Sequence, residues 1–357
     1  MLPFLDAILV DEGQDLIFDE RYKYRGKQPF YWLAYQALRP AQPTQEALLE
    51  LGQPPTGSEP LRRLIWAYDE AQSLDNLLIP TARELFGEGL SDLVSGQYHG
   101  GMRKSEVMHR CYRTPEPILV AAHALGMGLL RPEGMLTGIT TKDGWRAIGY
   151  EVEGQFHPGR EVLLYRPKEN TPNPVPDLWG QPVLQFSTYR SRAEEVAALA
   201  KGVKQALEEG FAPSHDLLVV LLARPAEWYA LARLLGQALN REGIDFFIPA
   251  ASAVNALNSQ GDRSRFWHEG AVTVSGVARA KGNEAEVVYV AGLDFVAQRE
   301  AEIEARNQLF VALTRSRGFA YLSGVGEHPF YDEVRRVMAS GSSFRFVFRR
   351  PKRELVD

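Results

Sequence analysis

Short uninterrupted apolar runs alternate with amphipathic stretches of helical period along most of this chain. Ala7-Ile8-Leu9-Val10 is such a run, and it passes directly into the acidic cluster Asp11-Glu12-Gly13-Gln14-Asp15. A continuous apolar run bounded by polar residues is what a strand covered on both faces requires. Leu61 to Tyr68 predicts the next strand, and Glu116 to Leu125 a helix opened by Thr114-Pro115. Over 126–182 the periodicity weakens and Gly and Pro become frequent, which predicts an insertion with short strands such as Glu161 to Tyr165 and a loop at 169–177. Beyond Pro182 the alternation is clear. Strands are predicted at 183–187, 217–223, 245–249, 271–275, 286–291 and 320–323, and helices at 193–209, 226–242 (ended by Gly243) and 303–314. Alternation of this kind implies βαβ units and a parallel sheet with helices on both faces, so the fold class is α/β.

Composition narrows the function classes. The chain has 357 residues, 45% of them hydrophobic and 24% charged, enough to bury a sizeable core in about two domains. No uncharged apolar run approaches the roughly 18 to 20 residues of a membrane helix. Asp6, Asp11, Glu12 and Asp15 stand where a secretory signal would carry Lys or Arg. The single cysteine, Cys111, excludes an intramolecular disulfide and a multi-cysteine zinc site, which fits a reducing, cytoplasmic setting. A net charge of -5 gives no global basic footprint, so nucleic-acid binding has to come from a local patch.

Five clusters could carry chemistry. At the tip of the first strand, Asp11 can hold Mg²⁺ and Glu12 can polarise a water for attack on a phosphoryl group; an acidic turn is the plain alternative. Gln72, in Asp69-Glu70-Ala71-Gln72-Ser73, could orient a water or touch a terminal phosphate, against a solvated helix cap. Arg110 and Arg113 flank a helix start, where a guanidinium suits phosphate geometry. Lys281 and Glu284 sit between two strands, in Ala278-Arg279-Ala280-Lys281-Gly282-Asn283-Glu284. Arg315 closes the helix that begins near Arg306, and capping of the helix dipole is its alternative role.

In this order the clusters resemble superfamily one DNA helicases of the UvrD/Rep type: VDEGQD, DEAQS, CYRT, ARAKGNEAEVVYV and NQLFVALTRSRG match motifs two to six over roughly residues 5–324. The wording is similar to the branch in which a nuclease-related domain precedes the motor. The resemblance implies two RecA-like lobes of parallel sheet flanked by helices: a partial first lobe at 1–106, a second at 107–340 carrying the 126–182 insertion, and a basic tail at 341–357. It implies ATP and Mg²⁺ as cofactors and single-stranded or partly duplex DNA as partner. Carried over by position, it makes Asp11 the Mg²⁺-side carboxylate, Glu12 the base that activates water and Gln72 a γ-phosphate sensor. Arg113 and Arg315 become the arginines that stabilise charge on the transferring phosphoryl group. Glu284 becomes a ribose contact, on a loop supported by Lys281 and Gly282.

The sequence departs from that pattern in one decisive place. A motor of this kind needs GxxxxGK[ST], and Gly-Lys occurs only at Gly26-Lys27, followed by Gln28 and with Arg21 where the first glycine belongs. The expectation is therefore the C-terminal part of a motor, inactive alone, its phosphate loop supplied by an N-terminal segment or second chain. A catalytically dead nucleic-acid-binding or protein-interaction module is the alternative. The C-terminal residues Arg345, Arg349 and Arg350, interleaved with Phe344, Phe346 and Phe348, could track and stack single-stranded DNA; their period equally suits a strand with one buried face and a solvated basic end. A free-standing nuclease fails for want of Glu-x-Lys or Asp-x-Lys, and a dinucleotide oxidoreductase for want of GxGxxG after a strand.

Overall fold

The computed structural model describes residues 3–41, 62–68, 85, 97, 101–351 and 353–355. The chain divides into two compact units, 1–107 and 108–357.

In the first unit, β1 (Ala7–Val10) precedes α1 (Pro29–Ala37) and pairs in parallel with β2 (Arg63–Trp66), setting Val10 opposite Trp66. Tyr31 and Tyr35 of α1 form a small core with Leu85, against which Leu64 and Trp66 pack. The expectation that β1 is covered on both faces is not met among the described residues: Leu9 is 75% exposed and Ile65 63%, while Val10 is buried. The pleat sends alternate residues to opposite sides, and only the side bearing Leu64 and Trp66 meets the tyrosine cluster.

The second unit begins with α2 (Glu116–Met127), β3 (Thr137–Ile139), α3 (Lys142–Ala147), β4 (Glu151–Gly154), β5 (Glu161–Tyr165) and α4 (Val175–Trp179). The helix α4 falls inside the stretch read as a loop; Pro176 occupies its first turn, and the Asn173 side chain accepts the Val175 amide at 3.0 Å. There follow β6 (Leu184–Tyr189), α5 (Arg192–Glu208), β7 (Leu217–Leu221), α6 (Pro225–Arg241), β8 (Phe246–Phe247) and β9 (Val272–Gly276). The remainder is α7 (Val277–Ala280), β10 (Ala285–Ala291), α8 (Leu293–Ala297), α9 (Ile303–Leu313), β11 (Ser316–Val325) and α10 (Pro329–Ala339), then β12 (Ser343–Val347) and β13 (Arg353–Leu355).

Six of these strands form one wholly parallel sheet in the order β6-β11-β10-β7-β9-β8, flanked by helices as a RecA-like lobe requires. Its central strand β7, Leu-Leu-Val-Val-Leu, is buried at every position, which is why it reads as an unbroken apolar run. Ser191 caps α5 by accepting the Glu194 amide at 3.2 Å, and Gly243 in the left-handed region stops α6. The strand expected at 320–323 runs from Ser316 to Val325, because β10 on one side and β6 on the other both pair with it.

The described residues of the basic C-terminal segment carry two strands. β12 pairs antiparallel with β5, and β13 pairs in parallel with β3. Phe344, Phe346 and Phe348 are buried, and the Phe348 ring meets Phe156 edge-on at 5.3 Å. These rings fill a core and do not present faces for base stacking, which corrects that option in favour of the half-buried strand.

Among the described residues no helix is long and apolar enough to cross a membrane.

Candidate functional site

In the first unit, β1 delivers Asp11 and Glu12 to a tight 3-10 turn, Gly13–Leu16. Asp11 is exposed, and its carboxylate accepts the Glu12 amide at 2.9 Å. Glu12 is held at φ 52°, ψ 44°, a left-handed conformation that costs a glutamate about 1 kcal/mol. What holds it there is Gly13. Its amide donates to Ala67 at 2.8 Å, its carbonyl accepts the Tyr31 hydroxyl at 2.9 Å, and a Cβ at this position would collide with that hydroxyl. Burial, with Tyr68 adding to it, pushes the Tyr31 phenol up to about 12, so it is a donor at any ordinary pH. Gln14 is buried and donates its side-chain amide to the Glu12 carboxylate. Gly13, Gln14 and Tyr31 therefore position the acidic pair. Only the glycine directly after the pair could have signalled this in the sequence.

Gln72 lies outside the described residues. Gly26-Lys27 lies in a tight turn where Tyr24 and Lys27 exchange backbone hydrogen bonds at 2.9 and 3.0 Å, and the Lys27 ammonium sits 3.4 Å from the centre of the Trp32 ring. That is not a strand-to-helix phosphate loop. Among the described residues no group of three or more His, Cys, Asp and Glu side chains is arranged to hold a metal. Mg²⁺ bound with a nucleotide needs only one or two protein carboxylates, because phosphates and waters complete its shell. An exposed Asp11 fits that requirement.

The second unit gathers another set. Lys281 caps α7, Gly282 takes φ 79°, and the Asn283 amide donates to Ala280 at 3.0 Å, turning the chain so that Glu284 emerges at the start of β10. Because Ala285 pairs with Ser316, Glu284 arrives beside Arg317, 3.5 Å away, and Glu286 contacts the same guanidinium at 3.3 Å. Arg113, just before α2, approaches Glu284 at 3.4 Å. Each of these side chains remains partly exposed, and the Arg113 Nε is a buried donor with no partner among the described residues. The alternating charges Arg113, Glu284, Arg317, Glu286 thus form a partly open ladder across the ends of two strands.

One residue of the Pro-rich segment fixes that ladder. The Asn173 amide donates to the Arg113 carbonyl at 2.6 Å and to the Arg317 carbonyl at 2.9 Å, while its oxygen caps α4. No local pattern could have revealed it, since its partners lie 60 and 144 positions away. Asn173→Ala is expected to cost about 1–3 kcal/mol of unit stability through the orphaned carbonyls. Urea denaturation, with faster amide exchange near Arg113 and Arg317, checks this; an unchanged midpoint would contradict it.

Arg315 behaves differently from Arg113. It is 1% exposed, its Nε donates back to the Val311 carbonyl at 2.9 Å, and a second nitrogen reaches the Thr314 hydroxyl at 3.2 Å. In this conformation it caps the end of α9. In the C-terminal strand region, Arg345 pairs with Glu161, Arg349 donates to the Pro132 carbonyl at 3.0 Å, and Arg350 is exposed.

Residues 271–323, which span β9 to β11 and include Lys281, Glu284 and Arg315, match the family model of the UvrD-like helicase C-terminal domain. Among solved structures, one similar to this chain is the C-terminal domain of a possible DNA helicase from Lactobacillus plantarum WCFS1, at 19% identity and a TM-score of 0.32, covering 44% of this chain and 83% of that one. No curated protein matches.

Proposed function

Taking residues 271–323 as a UvrD-like helicase C-terminal domain, we propose that this chain is the C-terminal part of an ATP-dependent DNA helicase or translocase. The observation that carries the assignment is that the matched segment supplies Glu284 and Arg317 to a ladder completed by Arg113 from outside it, with the Arg113 Nε left as an unpaired buried donor among the described residues. Such a donor is what a nucleotide phosphate or ribose would satisfy. Bound Mg²⁺ and ATP would supply the scissile phosphoryl group and neutralise part of its charge. Asp11 would hold the metal side, and Glu12, oriented by Gln14, would take a proton from the attacking water. Arg113 and Arg315 would stabilise developing negative charge, Arg315 after turning out from the end of α9. Glu284 would contact the ribose, from a loop shaped by Lys281 and Gly282. Phosphoryl transfer rests mostly on positioning and electrostatics, so these roles need no covalent chemistry from the protein.

The sequence has no GxxxxGK[ST], so the chain alone is proposed to be inactive, with the loop provided by an N-terminal segment or partner chain. DNA contact is proposed for the exposed, basic end of the β12 region, Arg345, Arg349 and Arg350. The capped, buried Arg315 favours a second reading, a catalytically dead module that binds DNA or protein.

Single-stranded DNA titrated against the purified chain, with and without an ATP analogue, tests the choice. DNA binding that weakens or tightens with the analogue supports the motor. Tight binding indifferent to the analogue and to Arg315→Ala supports the dead module.

A further inference from the structure

One end of the six-stranded sheet carries a surface unlike the rest. Strand register sets Tyr289 beside Tyr321 and Tyr321 beside Gln185, with Ser323 beside Ser187 in the next row. Toward β7 and β9 the same face is Val219, Leu221 and Val274, all buried in the core. Over the polar end, α5 turns Ala198, Gly202 and Ala206, spaced four apart, so the helix brings little side-chain volume there. A Cβ on Gly202 would already come within 3.1 Å of the Tyr289 ring. What remains is a cavity of about 750 Å³, a size typical of ligand sites.

Its chemistry is one-sided. Tyr289 and Tyr321 stack with centres 5.0 Å apart, and Phe319 meets Trp179 at 5.2 Å and Phe211 at 6.2 Å. Besides these phenols and that of Tyr189, the ionisable groups lining it among the described residues are Glu195 and Glu209, with no Lys or Arg. Glu195 is committed internally: it pairs with Arg192 and accepts the Gly292 amide at 3.1 Å and the Ser323 hydroxyl at 2.7 Å. Glu209 is exposed and held toward the cleft by Gln205, which donates to it at 2.8 Å. After burial, Glu209 is the negative charge that raises the Tyr321 phenol. Beside the cleft, Leu178 and Trp179 are exposed, next to β6, the outer strand of the sheet among the described residues.

We propose that this cleft, between α5 and the β6–β11–β10 end of the sheet, takes an arginine side chain from a partner protein. A planar guanidinium can lie on the tyrosine stack while pairing with Glu209. The exposed Leu178 and Trp179 would receive the apolar neighbours of that arginine. The site lies on the helix-covered face and involves none of the residues given nucleotide roles, so it stands independently of the helicase assignment.

The test titrates acetyl-Leu-Arg-Leu-amide into the full 357-residue chain and follows the Trp179 indole resonance, assigned with Trp179→Phe. Lysine and citrulline peptides serve as comparisons. The arginine peptide is expected to shift the resonance saturably, with the lysine peptide weaker and the neutral citrulline peptide weaker by roughly five-fold or more. Glu209→Gln, at an exposed position, should weaken the arginine peptide by a similar factor and leave the citrulline peptide unchanged. Equal binding of arginine and citrulline, indifference to Glu209→Gln, or no shift with any peptide would overturn the proposal.

Discussion

Replacing Glu333 by alanine is expected to destabilise the second unit by about 3–5 kcal/mol, the cost of removing the buried partner from a buried ion pair. Arg306 is fully buried, and its two terminal nitrogens each meet a Glu333 oxygen at 2.9 Å. The same guanidinium donates to the Leu125 carbonyl at 2.7 Å, the Glu300 carbonyl at 2.6 Å and the Glu300 carboxylate at 2.8 Å. It therefore ties α9 to α2 and α10. Its neighbour Arg131 extends the network by pairing with Glu300 at 2.8 Å. Removing the acid alone leaves the buried guanidinium with only the partly exposed Glu300 carboxylate, whereas the double change Arg306→Met with Glu333→Leu replaces charge with packing and should recover most of the loss. Urea denaturation of the two variants distinguishes these outcomes. A Glu333→Ala loss below about 1 kcal/mol would mean the pair is far better hydrated than its burial indicates.

The second large effect is acid sensitivity from a histidine. His123 accepts or donates a 2.8 Å hydrogen bond with the Tyr150 hydroxyl and stacks on Phe310. Burial, reinforced by the nearby Arg166 charge, pushes its pKa down to about 3 from the usual 6.5. The folded protein thus keeps the ring neutral while the unfolded chain protonates it. The stabilisation is complete above about pH 6.5 and is lost as pH falls, at about 1.4 kcal/mol per unit, until the folded value is reached. The ring keeps some solvent contact, so the summed loss of about 4–5 kcal/mol is an upper bound. Between pH 6.5 and 5, above most carboxylates, the slope should belong largely to this residue. His123→Leu should flatten it, and a slope unchanged by that substitution would contradict the assignment.

What was legible in the sequence was what local pattern encodes. The apolar run of β7, the Gly243 stop and the alternation of strands and helices beyond Pro182 follow from neighbours a few positions apart. Features set by distant partners were hidden. Asn173 draws its meaning from the Arg113 and Arg317 carbonyls, and the polar end of the sheet face exists only once register sets Tyr321 beside Gln185. The sequence pattern did not predict the helix α10, whose Phe330, Tyr331 and Val334 are buried. At the candidate site, the acidic pair was visible at the end of its strand, while the strained turn that aims Glu12 depends on Tyr31, 18 positions from Gly13. The chemistry of Arg315 was inferred from its place in a motif, and its side chain is folded onto α9.

The central proposal is that this chain supplies the water-activating and charge-stabilising groups of an ATPase whose phosphate loop comes from another segment or chain. Its most direct test measures DNA-stimulated ATP hydrolysis by the 357-residue chain alone, and again after mixing with a separately expressed segment bearing GxxxxGK[ST]. No turnover alone, and turnover on mixing that Glu12→Gln or Arg113→Ala abolishes, is the predicted result. Turnover by the chain alone that Glu12→Gln abolishes would contradict it.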